Sequence, residues 1–441
     1  MIDTKPIVFG TALILSSVSA FSADPILSRP AWLTEASVSL KESYDDNIFL
    51  SGVAHPPVAI LPHGSVPALK GESSWITSVS PRVGVNAAPV LHWEALDTLS
   101  LGYAPEFATF RDASSENYIA QRVPTAIKAH WDDFTVSAEN NFSFIDGDRQ
   151  GPVYPGGLLS AFATCVPRER RDQWQDRAAV TFQFTRDKWF IRPSASLVYY
   201  DLMTDQINSS GYQNYCDRYD VSGGADVGYK VAKPVAVTLG YRCGHQQQEK
   251  FAFSPYSTSG DYQRVLAGLE GKPLQWLEVK LLGGPDFRSY PEDTATHITP
   301  IDDKNFVTYY GEASVVATVT TNDAISFKYK QFLWVSSIGK VPCFDSTYEL
   351  TYRRRITSNL SADLTGRLLN ADYSPGNLPA CKRDDWQDTV AVGASYTINT
   401  HASVNLAYSL DLGRNTEDRA SHRSSREFER NVVSLGATLK F

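Results

Sequence analysis

The chain has 441 residues, 42% of them hydrophobic, 12% aromatic and 20% charged, which excludes a disordered tail, a collagen-like repeat and a short disulfide-stapled scaffold. Lys and Arg number 41 against 49 Asp and Glu, a net charge of -8, and such a balance is not built to neutralise a long phosphate backbone, so no nucleic acid is expected as a partner. Two Met against 22 Tyr, 21 Phe and 9 Trp favour strands over helices, and the expected fold class is all-β.

Residues 1–20 read as a secretory signal peptide: Lys5, an apolar run from Ile7 to Leu15, then Val18-Ser19-Ala20 with small residues where signal peptidase needs them. The remaining 21–441 read as one domain. No later stretch approaches the roughly 18 apolar residues of a membrane helix. If the chain crosses a membrane, it must do so as a closed barrel, because open sheet edges are not tolerated in lipid.

From residue 33 onward the sequence alternates with period two, as strands with one apolar and one polar face do. Ala36, Val38, Leu40 and Tyr44 oppose Glu35, Ser37, Ser39 and Lys41. Trp75, Val79, Val83 and Val85 then oppose Ser78, Ser80, Arg82 and Asn86, and the pattern runs on to Val433, Leu435, Ala437, Leu439 and Phe441. About 18 such segments follow one another. Their connections alternate between short ones, such as 131–133, 185–188 and 230–234, and long ones, such as 45–73, 145–172 and 201–216. One end of the sheet therefore carries turns and the other loops, the asymmetry of an outer-membrane barrel with periplasmic turns and extracellular loops.

Aromatic residues test this reading. Trp189 and Tyr199 share the apolar parity, as do Tyr219 and Tyr229, each pair ten positions apart. At about 3.3 Å per residue and about 45° of tilt that separation is on the order of 23 Å, close to the roughly 25 Å apolar band of such barrels. Tyr118, Tyr262 and Phe428 break the parity. The chain ends on Phe441 after an alternating strand, and a terminal aromatic of this kind resembles the signal read by the barrel assembly machinery, which that resemblance makes an expected partner alongside outer-membrane lipids.

The stretch Glu42-Ser43-Tyr44-Asp45-Asp46-Asn47-Ile48-Phe49-Leu50 resembles the opening motif of the beta-barrel porin 2 family of Gram-negative outer-membrane proteins, some of whose relatives lie with exopolysaccharide export systems. The family also resembles this chain in length and in the alternation of its connections. Independently of the family, Asp45, Asp46 and Asn47 favour a turn that closes the first strand at the loop end.

No Gly-x-Ser-x-Gly elbow, His-Glu-x-x-His or phosphate loop is present, and the eight His are scattered, so neither an enzyme nor a metal or other cofactor is expected. On the polar face, charges of both signs recur, and Arg82, Lys128, Glu139, Arg177, Arg192, Lys280, Glu312, Lys328 and Arg367 are the candidate pore-lining residues. Cross-strand ion pairs that keep the face wet explain them as well as a selectivity device does. The loop at 145–172 resembles the inward-folded third loop of general porins, which makes Asp146, Asp148, Arg168, Arg170 and Arg171 candidates for a constriction. The topology puts the five Cys at the loop end, with bridges expected for Cys216 with Cys243 and Cys343 with Cys381. The expected function is a passive porin for small hydrophilic solutes in a Gram-negative outer membrane. The rival is a non-conducting scaffold or a component of polysaccharide export. A homo-trimer stays open, since a trimer face and a lipid-facing band look alike in sequence.

Overall fold

The computed structural model describes residues 30–48, 50, 59–61, 64–66, 73–147, 172–201, 203, 217–248, 259–291, 305–334, 342–372, 383–417 and 428–441. The expected signal segment lies outside them. Eighteen antiparallel staves close into a barrel. In chain order they are β1 Leu33–Asp45, β2 Ser74–Asn86, β3 Leu96–Tyr103 resuming at Glu106–Phe110, β4 Tyr118–His130, β5 Phe134–Asp146 and β6 Gln173–Arg186. Then come β7 Trp189–Asp201, β8 Arg218–Ala232, β9 Val235–Gln248, β10 Gly260–Leu274, β11 Leu277–Ser289 and β12 Asn305–Thr318. The last six are β13 Asp323–Trp334, β14 Cys343–Arg355, β15 Leu360–Asp372, β16 Arg383–Thr397, β17 Ala402–Glu417 and β18 Phe428–Lys440. Each stave pairs with its neighbours in sequence, and β1 closes on β18. β3 is interrupted at Ala104-Pro105 because proline has no N–H for the ladder. Ala104 still donates its N–H to Arg122 O at 2.9 Å, which keeps the two halves of β3 in line.

Alternation makes the wall amphipathic. On β9, Val237, Leu239 and Tyr241 are exposed on the outer face, whereas Ala236, Thr238 and Gln246 are buried on the inner one. A row of exposed Val, Leu, Ile and aromatic residues repeats on every stave, and only lipid can satisfy so continuous an apolar surface. Two aromatic belts flank it. At the loop end Tyr44 meets Trp75 with ring centres 5.3 Å apart, Phe144 meets Trp174 at 5.4 Å and Tyr329 meets Tyr348 at 4.9 Å. At the turn end Trp93 meets Trp131 at 6.1 Å and Trp189 meets Tyr229 at 4.8 Å. Tight connections such as Asp187-Lys188 and Lys233-Pro234 lie at the same end as this second belt.

The closure is a full ladder. β1 and β18 pair through nine residues each, from Ser37↔Lys440 to Asp45↔Val432. The Asp45-Asp46-Asn47 motif does more than turn the chain. Asp45 Oδ1 accepts the Asn47 N–H at 3.0 Å, the turn expected of an Asp. Its Oδ2 accepts from Arg430 Nε and Nη2 at 3.0 and 2.7 Å, and Asp46 accepts from the Asn431 N–H and Nδ2 at 2.7 and 2.9 Å. The motif therefore rivets the first strand to the last.

One junction is incomplete. β12 and β13 pair through eight residues, from Thr318↔Ala324 up to Gly311↔Gln331, and stop there. Above that point Asn305–Tyr310 stay paired with β11, while β13 continues with β14 to Trp334↔Cys343. The upper end of β13 has left the wall and leans into the lumen, and a seam opens beside β12.

The cysteines correct one expectation. Cys243 is a free, exposed thiol, not bridged to Cys216. β9 runs on past it to Gln248 and pairs it with Gly223. Cys243 thus stands mid-stave on the outer face, lower than the sequence implied. Cys343 is disulfide-bonded, and both Cys216 and Cys381, the expected partners of the two bridges, lie outside the described residues.

Candidate functional site

All nine candidate pore-lining residues project from the inner face. Arg82, Lys128, Glu139, Arg177, Arg192, Lys280, Glu312, Lys328 and Arg367 occupy the parity opposite the exposed apolar rows of their staves. The structure brings some together and leaves others apart. Arg192 is the hub of a lower tier: it donates to Glu270 through Nη1 and Nη2 at 2.9 and 2.8 Å and to Asp226 through Nε at 3.2 Å. Arg242 holds the other oxygen of Asp226 at 2.8 Å, and Lys280 meets Glu312 at 3.4 Å. A bidentate guanidinium–carboxylate pair fixes both direction and distance, so this tier is rigid. Arg192, Asp226, Arg242, Glu270 and Lys280, with the hydroxyls of Ser137, Thr181, Ser194 and Thr238 and with Leu281 and Leu282, line a cavity of about 240 Å³. Farther round, Lys328 meets Glu349 at 3.3 Å and Arg177 donates to the Tyr200 hydroxyl.

An upper tier, nearer the loop end, was not legible residue by residue. Asp286, wholly buried, accepts on Oδ2 from Arg264 Nε at 3.1 Å and Arg288 Nη2 at 2.7 Å. Gln246 links them onward, accepting from Arg288 Nη1 at 2.9 Å and donating to Asp220 at 2.7 Å. Tyr262 donates to the other oxygen of Asp220 at 2.8 Å. The Arg264 guanidinium lies between two aromatic faces, 4.1 Å from the Tyr262 ring centre and 4.6 Å from that of Tyr310, a contact that strengthens away from water. Glycine makes this possible. A Cβ on Gly244 would sit 2.4 Å from the Tyr262 ring, so the ring lies flat on the wall only because that position carries no side chain. The one available signal was Tyr262 itself, an aromatic on the polar parity with an Arg two positions on. Nearby, burial pushes the Tyr290 phenol up to about 12, and its ring stacks on Phe306 at 5.8 Å.

The tip of β13 sits on this tier. Leu333 O accepts from Gln246 Nε2 at 3.2 Å and from Arg288 Nη2 at 2.9 Å. Arg218, on β8, lies over the rings of Tyr200 and Trp334 at 5.1 and 5.2 Å. A stave that belongs in the wall is therefore gripped by side chains of β8, β9 and β11, and it narrows the lumen at that height. The candidate constriction loop is only marginally described. Asp148, Arg168, Arg170 and Arg171 lie outside the described residues, and Asp146 ends β5 on the outer parity, opposite Ile119, so it does not face the pore. Among the described residues no group of His, Cys, Asp and Glu is placed to hold a metal ion.

No family model matches the chain, and no curated protein does. Solved structures similar to it include the outer membrane protein OpdK from Pseudomonas aeruginosa, 12% identical over 92% of this chain and 99% of that one, with a TM-score of 0.42. OccK2 (OpdF) of Pseudomonas aeruginosa in complex with glucuronate is 9% identical over 92% and 98%, at 0.43. The siderophore receptor PirA from Acinetobacter baumannii is 7% identical over 93% and 81%, at 0.41. Overlaps this low say nothing about what this barrel carries. Its apolar outer face, its two aromatic belts and its charged interior are themselves those of a β-barrel of the Gram-negative outer membrane.

Proposed function

We propose that this outer-membrane barrel is a channel through which small hydrophilic solutes diffuse passively. The observation that carries the reading is the state of the inner charges. Lys280 and Lys328 keep 57% and 65% of their side chains exposed although they point inward, and ammonium groups so placed require water in the lumen. The lower-tier cavity is walled by hydroxyls and by charges of both signs, with Leu281 and Leu282 completing the lining, which admits polar solutes without demanding one sign of charge. The resemblance of Glu42–Leu50 to the opening of the beta-barrel porin 2 family supports the same reading, which is of a conduit and not of an enzyme. Phe441, exposed at the end of β18, is then the group offered to the barrel assembly machinery.

Purified, refolded protein in a planar bilayer tests this. Stable ohmic steps are expected once heat-modifiable migration on a gel confirms a folded barrel, and reversal potentials in a salt gradient then give the selectivity. A folded barrel that never conducts removes the channel reading. That outcome favours a closed scaffold or a component of polysaccharide export, a reading with one observation behind it, the tip of β13 seated in the lumen.

A further inference from the structure

The seam in the wall and the narrowing of the lumen have one cause, since the same three residues, Phe332–Trp334, are missing from the first and present in the second. We propose that the tip of β13 is a gate with two seats: it rests on the upper tier in the arrangement described above, and it returns to the wall against β12 to open the pore. This rests on the channel reading.

Three observations support a tip that can leave its seat. The upper tier has bonds of its own that do not involve the tip. Gln246 keeps Asp220 and Arg288 as partners, and Arg288 keeps Asp286, whether or not Leu333 is there. The tier therefore holds the tip as an occupant and is not built around it. The wall, by contrast, is unsatisfied where the tip is absent. Among the described residues Asn305–Tyr310 pair with β11 on one side only, and an unpaired strand edge is what closed barrels exist to avoid. Tyr309, 70% exposed, is the most exposed of the large hydrophobic residues described. Finally, the second seat is already in register. Continuing the ladder upward from Gly311↔Gln331 sets Tyr310 opposite Phe332, Tyr309 opposite Leu333 and Thr308 opposite Trp334. That move turns Leu333, now wholly buried, to the outer face beside Tyr309. It also withdraws Trp334 from Arg218 and clears the lumen. Closing the wall and opening the pore are thus a single motion between two discrete packings.

Full-length protein carrying Tyr309→Cys and Leu333→Cys, in a Cys243→Ser background to remove the exposed native thiol, tests the second seat. Under mild oxidation the two introduced thiols are expected to bridge, as peptide mapping would show, and the bridged channel should conduct about twofold or more above its reduced form. If wild-type protein conducts but the bridge never forms, or if it forms and conductance is unchanged, the gate is overturned and the channel stands. If the bridge forms and neither form conducts, the channel reading falls and the gate with it. A second variant avoids new cysteines: Gln246→Leu removes one of the two bonds to the Leu333 carbonyl at nearly constant volume. It should raise the time spent at the higher conductance level about severalfold, and an unchanged occupancy would count against the gate.

Discussion

Two junctions in the wall, β1 with β18 and β12 with β13, show how little chain proximity decides strand pairing. The first joins residues that the chain separates by almost its whole length, yet it zips through nine pairs and is riveted at the loop end by Asp45, Asp46 and Asn47 on Arg430 and Asn431. The second joins two staves linked by a short turn, yet it zips through eight pairs and then parts. The difference lies in what waits at the loop end. Beside β18 the side chains tie strand to strand. Beside β12 a buried tier on β8, β9 and β11 offers the tip of β13 a rival seat.

That contrast can be broken most sharply at Asp286. Asp286→Ala leaves the buried guanidinium groups of Arg264 and Arg288 without their shared carboxylate, a loss of about 3–5 kcal/mol for a buried pair. The temperature at which heat-modifiable migration is lost should fall markedly, and the β13 tip should lose its seat with it. Asp45→Ala attacks the other junction. Arg430 retains Asp411 at 3.4 Å and is partly exposed, so a smaller loss of about 1–3 kcal/mol is expected. Cleavage by an added protease should then increase near Asp45 while conductance stays at the wild-type level. The least effect belongs to Ser39→Ala, which removes the hydroxyl pair with Thr438 at 2.8 Å in the turn-end half of the closure. A change of about 0.5 kcal/mol is expected for one such cross-strand pair. A loss as large as that of Asp45→Ala would mean that the turn-end half of the ladder, and not its riveted end, holds the barrel shut.

Much of the architecture was legible because its signals are local. A strand's side chains alternate whatever lies beside it, so Arg192, Lys280 and Lys328 could be placed on the inner face from parity alone. The exceptions were informative: Tyr262 broke the aromatic parity because it is an inner residue lying on Gly244 and bonded to Asp220. The bridge expected for Cys216 and Cys243 failed because it depended on where β9 ends, and the run from Gly244 to Gln248, without an apolar residue, hides that the strand continues. The partner of each charge was not legible either. Arg192 finds Glu270 three staves away, and no spacing along the chain announces such a meeting.

By itself the sequence determined that this chain is an all-β, amphipathic-walled barrel with turns at one end and loops at the other, because period, parity and aromatic position are properties of single strands. Only the tertiary structure decided which inner charges meet, how the Asp45 motif joins the two ends of the chain, and that β13 leaves the wall. Those outcomes depend on stagger between staves and on side chains converging across the lumen from strands far apart in sequence. A residue's own neighbours encode which way it faces, but not what it will face.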